Sequence, residues 1–395
     1  MIKILLSSFL ASSLLSAITI DELVSKSIEK NIDLRGLEKS IQVANEQIKV
    51  SKNWKNPMLA LKTNEIMLDK PLSNQKMYGV ELSQVIPVGS KLDIEESIAK
   101  KDKNIQIFSL EDKKLELEAK IYEYSYTILI LEKRYEILEY YQKNLDKLES
   151  LYNSLYKYQK ASLNEILNTQ ISKLDLQIEL ENLKTSIDNA YLNLEQISYE
   201  KIENINEKLS LKPISKEFIE SDLLTHPKVK VLEENSLKYK QIAKLEEANK
   251  FSEVTLSVEY MQNKEQDFAN ISVAIPLPIY KTENLNKVKA NLNSNETNDR
   301  LQSLLHNLRL QNKIYLNSLN QSAKNYELIQ KEIIPLKVKI QKNLENYNSF
   351  DLIKPQDNIT NLNELLNYEI KALEEALKYY EAYSQIIYFS NKGIK

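Results

Sequence analysis

Apolar residues in this chain recur every three or four positions, then every second position, then every three or four again, and past residue 212 the same order returns. From Ile20 to about Trp54, Leu23, Ile28, Leu34, Leu37, Ile41, Ala44 and Ile48 stand among Lys, Glu and Gln at helical spacing, and Pro57 ends the run. The period then drops to two. Leu59 and Leu61 alternate with Ala60, Lys62 and Asn64; after a polar stretch at 68–76, Tyr78, Val80, Leu82 and Ile86 alternate with Gly79, Glu81 and Ser83. Pro87 and Gly89 close the second run, so the pattern predicts a β-hairpin over residues 57–87.

Between Lys91 and about Lys157 there is neither Pro nor Gly, and Leu138, Tyr141, Leu145, Leu148, Tyr152 and Leu155 form a seam of threes and fours. Such a 3.5-residue repeat keeps a helix in contact with neighbours along its length, here about 100 Å at 1.5 Å per residue. The chain returns through Leu167, Ile171, Leu174 and Ile178, then Leu183, Ile187, Ala190, Leu194 and Ile197, which predicts an antiparallel partner.

Lys212-Pro213 and His226-Pro227 mark a junction, after which the order repeats. A helix over 228–249 leads to Val254, Leu256, Val258 and Tyr260 alternating with Thr255, Ser257 and Glu259; then Ile271, Val273, Ile275 and Leu277 run to a strand end at Pro276 and Pro278. These two runs predict a second hairpin over 253–280. A long helix follows with Leu301, Leu305, Leu308, Asn312, Tyr315, Leu319, Ser322, Tyr326 and Ile329 in register, and Pro335 predicts a kink. The last helix carries Leu366, Ile370, Leu373, Leu377 and Tyr380.

Residues 162–174 return 199 positions later as 361–373, agreeing at Leu163, Asn164, Glu165, Leu167, Asn168, Ile171 and Leu174. The chain therefore reads as one unit built twice, over 18–212 and 213–395, each with a helix, a hairpin, a long helix pair and a tip, near 156–163 and 347–361. Four Gly in 395 residues fit long uninterrupted helices rather than a loop-rich enzyme. Residues 1–17 carry Lys3, an apolar run from Ile4 to Leu15 and then Ser16-Ala17, the pattern of a secretory signal peptide. No later stretch approaches the roughly 18 apolar residues of a membrane helix. If this chain enters a membrane, strands must take it there.

A net charge of -3 with interspersed signs offers no basic face for nucleic acid. Without Cys, there are no disulfides or thiolate metal sites. His226 before Pro227 and His306 in a helix read as packed or solvated rather than as metal ligands, and Met58, Met67, Met77 and Met261 as lipid-facing or loop residues. No nucleophile set or phosphate cradle is legible, so no enzyme and no cofactor is expected. Tyr122, Tyr124, Tyr126, Tyr135, Tyr140 and Tyr141 are expected to fill grooves between helices.

Strands with one apolar and one polar face suit a wall between lipid and water, although hairpins packing their apolar faces on helices would show the same alternation. A sheet in lipid cannot leave edges open, so four strands per chain must close with copies of the chain. Two copies give eight strands and a filled interior; three give twelve and a water channel. Lys62, Asn64, Glu81, Ser83, Thr255, Ser257 and Glu259 would then line the lumen, with Glu81 and Glu259 favouring cations.

Four stretches resemble the signatures of TolC-family outer-membrane efflux proteins: residues 56–61 (NPMLAL), 80–91 (VELSQVIPVGSK), 275–280 (IPLPIY) and 333–336 (IIPL). The Ser83-to-Gly89 run and the Ile275-to-Pro278 strand end look most like the heavy-metal-efflux branch. The resemblance implies a mainly α protein with transmembrane β structure: a homotrimer with a twelve-stranded barrel on a twelve-helix tunnel in the outer membrane. It would carry substrate, heavy-metal cations or drugs, from an inner-membrane pump and its periplasmic adaptor to the outside. The family's helix-tip motif matches Tyr156, Ser162 and Leu163, with Gln159 where Gly is usual; in the second half it falls on Tyr347 and Leu362, with Phe350 in place of Gly. By the resemblance these tips meet the adaptor. The rival reading is a soluble periplasmic coiled-coil adaptor or interaction protein with no membrane-spanning part.

Overall fold

The computed structural model describes residues 18–64, 66, 68, 71, 77–214, 223–263, 265–347 and 355–390. In chain order the elements are α1 (Ile20–Lys30), α2 (Ile32–Val50), β1 (Met58–Asn64), β2 (Met77–Pro87), α3 (Lys91–Lys157) and α4 (Leu163–Ser198). Then come α5 (Pro227–Ala248), β3 (Glu253–Asn263), β4 (Phe268–Ala274), α6 (Thr282–Leu328), a π-turn (Ile329–Ile333), α7 (Ile334–Tyr347) and α8 (Pro355–Ser390). Helices and strands thus fall where the periods of three-to-four and two place them, with three local differences.

The first helical run is broken. A capping box between Thr19 and Glu22 starts α1, and Asn31 ends it: its backbone N–H donates to Ser27 O at 2.9 Å and its Nδ2 to Ile197 O at 3.2 Å. Second, β4 stops at Ala274, so Ile275 and Leu277, expected in the strand, lie beyond it. Pro276 and Pro278 lack the N–H that a ladder needs. Third, Pro335, where a kink is expected, directly follows a π-turn in which Ile334 N–H donates to Ile329 O, one residue beyond the α register. This relieves the clash a proline ring would make with the carbonyl four residues back.

The chain forms two compact units that cut across the two sequence halves: one from Met1–Ile32, Lys113–Leu223 and Leu308–Lys395, the other from Asp33–Asp112 and Leu224–Asn307. The helical unit is built on the expected seam. Leu138, Tyr141, Leu145, Leu148 and Tyr152 of α3 are buried against Ile166, Leu176, Leu180 and Leu183 of α4 and Leu365 of α8. In α6, Leu308, Asn312, Leu319 and Ser322 of the expected seam are likewise buried, as is Ile329 at the start of the π-turn.

The start of α4 departs from expectation. Leu167, Ile171, Leu174 and Ile178, expected to face α3, are 45–61% exposed, and Ile166, Thr169, Leu176 and Leu180 are buried instead. This helix carries apolar residues on two faces, and α3 covers one of them. The other is left bare.

Of the tyrosines expected in grooves, Tyr126 and Tyr141 are buried, whereas Tyr140 is 61% exposed. Tyr126 stacks on Tyr380 at 3.6 Å between ring centroids, Tyr122 donates to Asp21, and Tyr379 and Tyr380 hold the backbone of Ser210 and Lys212 through their hydroxyls. Nearby, burial and then the charge of Asp21 raise the carboxyl of Glu118 above the ordinary glutamate value. Its folded-state value thus exceeds its unfolded one, and protonation favours the fold. Stability should rise as pH falls through the folded-state value, the gain being complete below the unfolded value. Glu118→Gln is expected to raise the urea midpoint at neutral pH and to flatten that acid gain; an unchanged midpoint would contradict this.

The second unit holds the sheet together with α2, α5 and the first parts of α3 and α6. Lys101 and Asn104 of α3 reach Glu234 of α5, Lys238 reaches Asp102 at 2.6 Å, and Ser236 bonds Ser294 and Asn298 of α6. His226 is buried and caps α5, its Nδ1 accepting from Lys228 N–H, while His306 is exposed on α6.

Candidate functional site

The two hairpins join into one antiparallel sheet in the order β1-β2-β3-β4, because β2 pairs with β3 over eleven positions, from Met77↔Asn263 to Pro87↔Glu253. The register sorts the side chains. Leu59, Leu82, Val258 and Ile271 form one cross-strand row, and Leu61, Val80, Tyr260 and Ala269 the next. On the opposite face stand Ala60, Glu81, Glu259 and Asn270, flanked by Ser83, Ser257 and Ser272 and by Lys62, Gly79, Met261 and Phe268.

The burial of these faces is inverted relative to a soluble sheet. On the apolar face Leu59 is 72% exposed, Leu61 82%, Leu82 53%, Val258 48% and Ile271 75%. On the polar face Lys62, Glu81, Ser83, Thr255 and Glu259 are half-buried, Ser257 and Met261 are buried, and Asn64 at the strand end is exposed. Five large apolar side chains left in water would each forgo about 1.5–3 kcal/mol of burial. The alternative in which the apolar faces pack on helices is not what these described residues do.

The polar face has an ionic centre. Glu81 and Glu259 are direct cross-strand partners, a like-charge pairing that destabilises a sheet unless a cation intervenes. Lys62 intervenes, bridging Glu81 and, at 3.3 Å, Glu259, which also accepts from Asn270 Nδ2 at 3.0 Å. Asn270 was not among the residues expected there; reading β4 for its polar as well as its apolar alternation would have found it. Met58, Met77 and Met261 stand on this polar face, not in a loop or on the apolar side, because their even-and-odd register matches Lys62, Glu81 and Glu259. Met67 lies outside the described residues, as does most of the 68–76 stretch. At the edges β1 and β4 each pair on one side only.

At the first tip α3 ends at Lys157, and Gln159 adopts a left-handed φ of 56° while Lys160 N–H reaches back to Leu155 O at 2.9 Å. That conformation explains why the resembling motif favours Gly at this position. Ser162 then caps α4 through a capping box with Glu165, and Tyr156, Gln159, Ser162 and Leu163 are all exposed. Gln159→Gly is expected to stabilise this turn by about 0.5–1 kcal/mol, measured as a higher urea midpoint. No change would mean that Gln159 carries no strain. Leu362 is half-buried against the helical core, Tyr347 ends α7, and Phe350 lies outside the described residues.

Residues 23–198 match the sequence profile of the family described as outer membrane efflux protein. The CmeC outer membrane channel of Campylobacter jejuni superposes with a TM-score of 0.75 at 13% identity, covering 95% of this chain and 86% of that one. VceC of Vibrio cholerae, an outer membrane protein, gives 0.80 at 12% identity with 95% and 97% covered, and the open-state MtrE outer membrane channel of Neisseria gonorrhoeae 0.77 at 16% with 95% and 89%. The chain has the fold of outer-membrane channels. The matched family and these neighbours are channel proteins, not enzymes. No curated protein matches significantly in sequence. Among the described residues no helix is long and apolar enough to cross a membrane.

Proposed function

We propose that this chain is the outer-membrane channel subunit of a tripartite efflux system, a TolC-family homotrimer that passively conducts substrate received from an inner-membrane pump and a periplasmic adaptor. The observation that carries this reading is the inverted sheet, whose bare apolar face suits lipid and whose polar face suits water. The open edges of β1 and β4 support closure with further copies, and twelve strands are the smallest multiple of four with a water-filled interior. The duplicated sequence supports a ring of twelve helices from the same three chains. The exposed tip residues Tyr156, Gln159, Ser162 and Leu163, with Tyr347 and Leu362 in the second half, are the proposed adaptor contacts. Heavy-metal cations are the proposed cargo, supported by the motif resemblance and by the polar face, where Lys62, Glu81 and Glu259 sum to one negative charge per chain.

Planar-bilayer recordings test this. The purified protein should conduct with a cation preference; Lys62→Met, which removes the competing cation, should increase that preference, and a Glu81→Gln/Glu259→Gln variant should abolish it. A protein that never conducts would overturn the channel reading, whereas conduction with unchanged selectivity in both variants would overturn the role of the ionic centre alone.

A further inference from the structure

The helical unit contains a packing fault that the channel reading does not use. Between α3 and α7, with α8 as its floor, runs a groove of about 420 Å³. A second cavity of about 210 Å³ lies beside it, between α3, α4 and α8, and Tyr141, Asn144 and Leu362 line both. Both are clefts partly open to solvent, and two clefts flanking one contact mark a helix seam left incompletely closed over this stretch. The larger void falls within the volume range of small-molecule sites.

Its lining specifies a ligand class. On α3 the wall residues run from Tyr140 to Leu151 at one-turn intervals, which extends the groove over about 16 Å at 1.5 Å per residue. Leu148 and Leu151 on this wall, Val338 on the other and Leu362 and Leu365 on the floor make an apolar trough. The polar residues include two cations from opposite walls, Lys147 of α3 and Lys342 of α7, and neither makes an ion pair with a described residue. An apolar trough flanked by two ammonium groups that are unpaired among the described residues matches one chain and one negative head.

We propose that this groove binds a single-chain amphiphilic anion, a long-chain carboxylate, with its alkyl chain against Leu148, Leu151, Val338 and Leu365 and its headgroup between Lys147 and Lys342. The carboxylate makes charge-assisted hydrogen bonds to both ammonium groups, while the chain fills space that the helices leave empty. A neutral amphiphile gains the second term only. A cationic one meets repulsion from two lysines.

The test uses the full-length protein in lipid nanodiscs and a dodecanoate carrying a diazirine, with labelled peptides identified by mass spectrometry. The expected result is labelling of peptides spanning 140–151 and 338–342, displaced by unlabelled dodecanoate but not by dodecyltrimethylammonium. Lys147→Glu/Lys342→Glu should reduce that labelling at least tenfold, while labelling of the strands, which serves as an internal control for folding and lipid, stays unchanged. Labelling confined to the strands, equal displacement by the cationic amphiphile, or groove labelling that survives the double charge reversal would each overturn the proposal. None of these readouts depends on conduction, so the proposal can fail while the channel reading stands.

Discussion

Replacing Leu167 and Ile171 with Asp is expected to yield a folded chain that no longer associates with its copies. Leu167, Ile171, Leu174 and Ile178 form a heptad-spaced stripe on α4 that is 45–61% exposed. The matching residues of the repeated segment tell what such a stripe needs. Leu362, Leu366 and Ile370 of α8 pack against the core built on α3, and Leu373 is buried. One stripe is therefore satisfied within the chain and its counterpart is not, and in the proposed homotrimer a neighbouring copy would supply the missing surface. Each stripe residue taken out of water contributes about 1–2 kcal/mol, and an Asp in its place must also be desolvated. The double substitution should weaken assembly by two orders of magnitude or more, read by mass photometry in nanodiscs, with helical content by circular dichroism unchanged. The matched change on the exposed face of α1, Glu29→Asp, should do nothing. A double Asp variant that assembles like the wild type would remove α4 from the interface.

Adding side-chain bulk at Gly79 is expected to be as damaging to the sheet. A Cβ built there would lie 2.0 Å from Met261 Sδ and 2.7 Å from Tyr260 O, and Met261 is fully buried. The sulfur can swing away, but the carbonyl belongs to the β3 backbone in the ladder that joins the two hairpins. Gly79→Ala should therefore cost about 1–3 kcal/mol, the range for an overpacked site, and Gly79→Val more. Heat-modifiability on gels measures it: the Val variant should migrate largely as unassembled chain, and Met261→Ala should rescue the Ala variant only in part. Full rescue by Met261→Ala would show that the backbone contact is immaterial, and wild-type behaviour of Gly79→Val would contradict the close approach.

The legible and the illegible parts of this fold divide along physical lines. Period-two alternation fixed both faces of β1, β2 and β3, because on a pleated strand a side chain's face follows from its position alone. The pairing of β2 with β3 was not readable, since it joins residues more than 160 positions apart and nothing local selects the partner. Nor was the facing side of α4: Leu167 and Leu176 sit on different apolar stripes of one helix, and only the packing against α3 chooses between them. The break at Asn31 depends likewise on a distant acceptor, Ile197 O. Within the site, the Glu81 and Glu259 alternation was visible, but the bridging of both by Lys62 required the register to be known.

The inverted sheet is tested most directly by an accessibility scan. The chain contains no Cys, so single Cys variants can carry a spin label at Leu59, Ala60, Leu61, Val80, Leu82, Ser83, Val258, Ser272 and Ile271 in lipid vesicles without background. Oxygen, which concentrates in lipid, should relax the labels at Leu59, Leu61, Val80, Leu82, Val258 and Ile271. A water-soluble nickel chelate should relax those at Ala60, Ser83 and Ser272, in strict alternation along each strand. Labels reached equally by the nickel chelate on both faces, or a protein that leaves the vesicles for the aqueous fraction, would contradict the account.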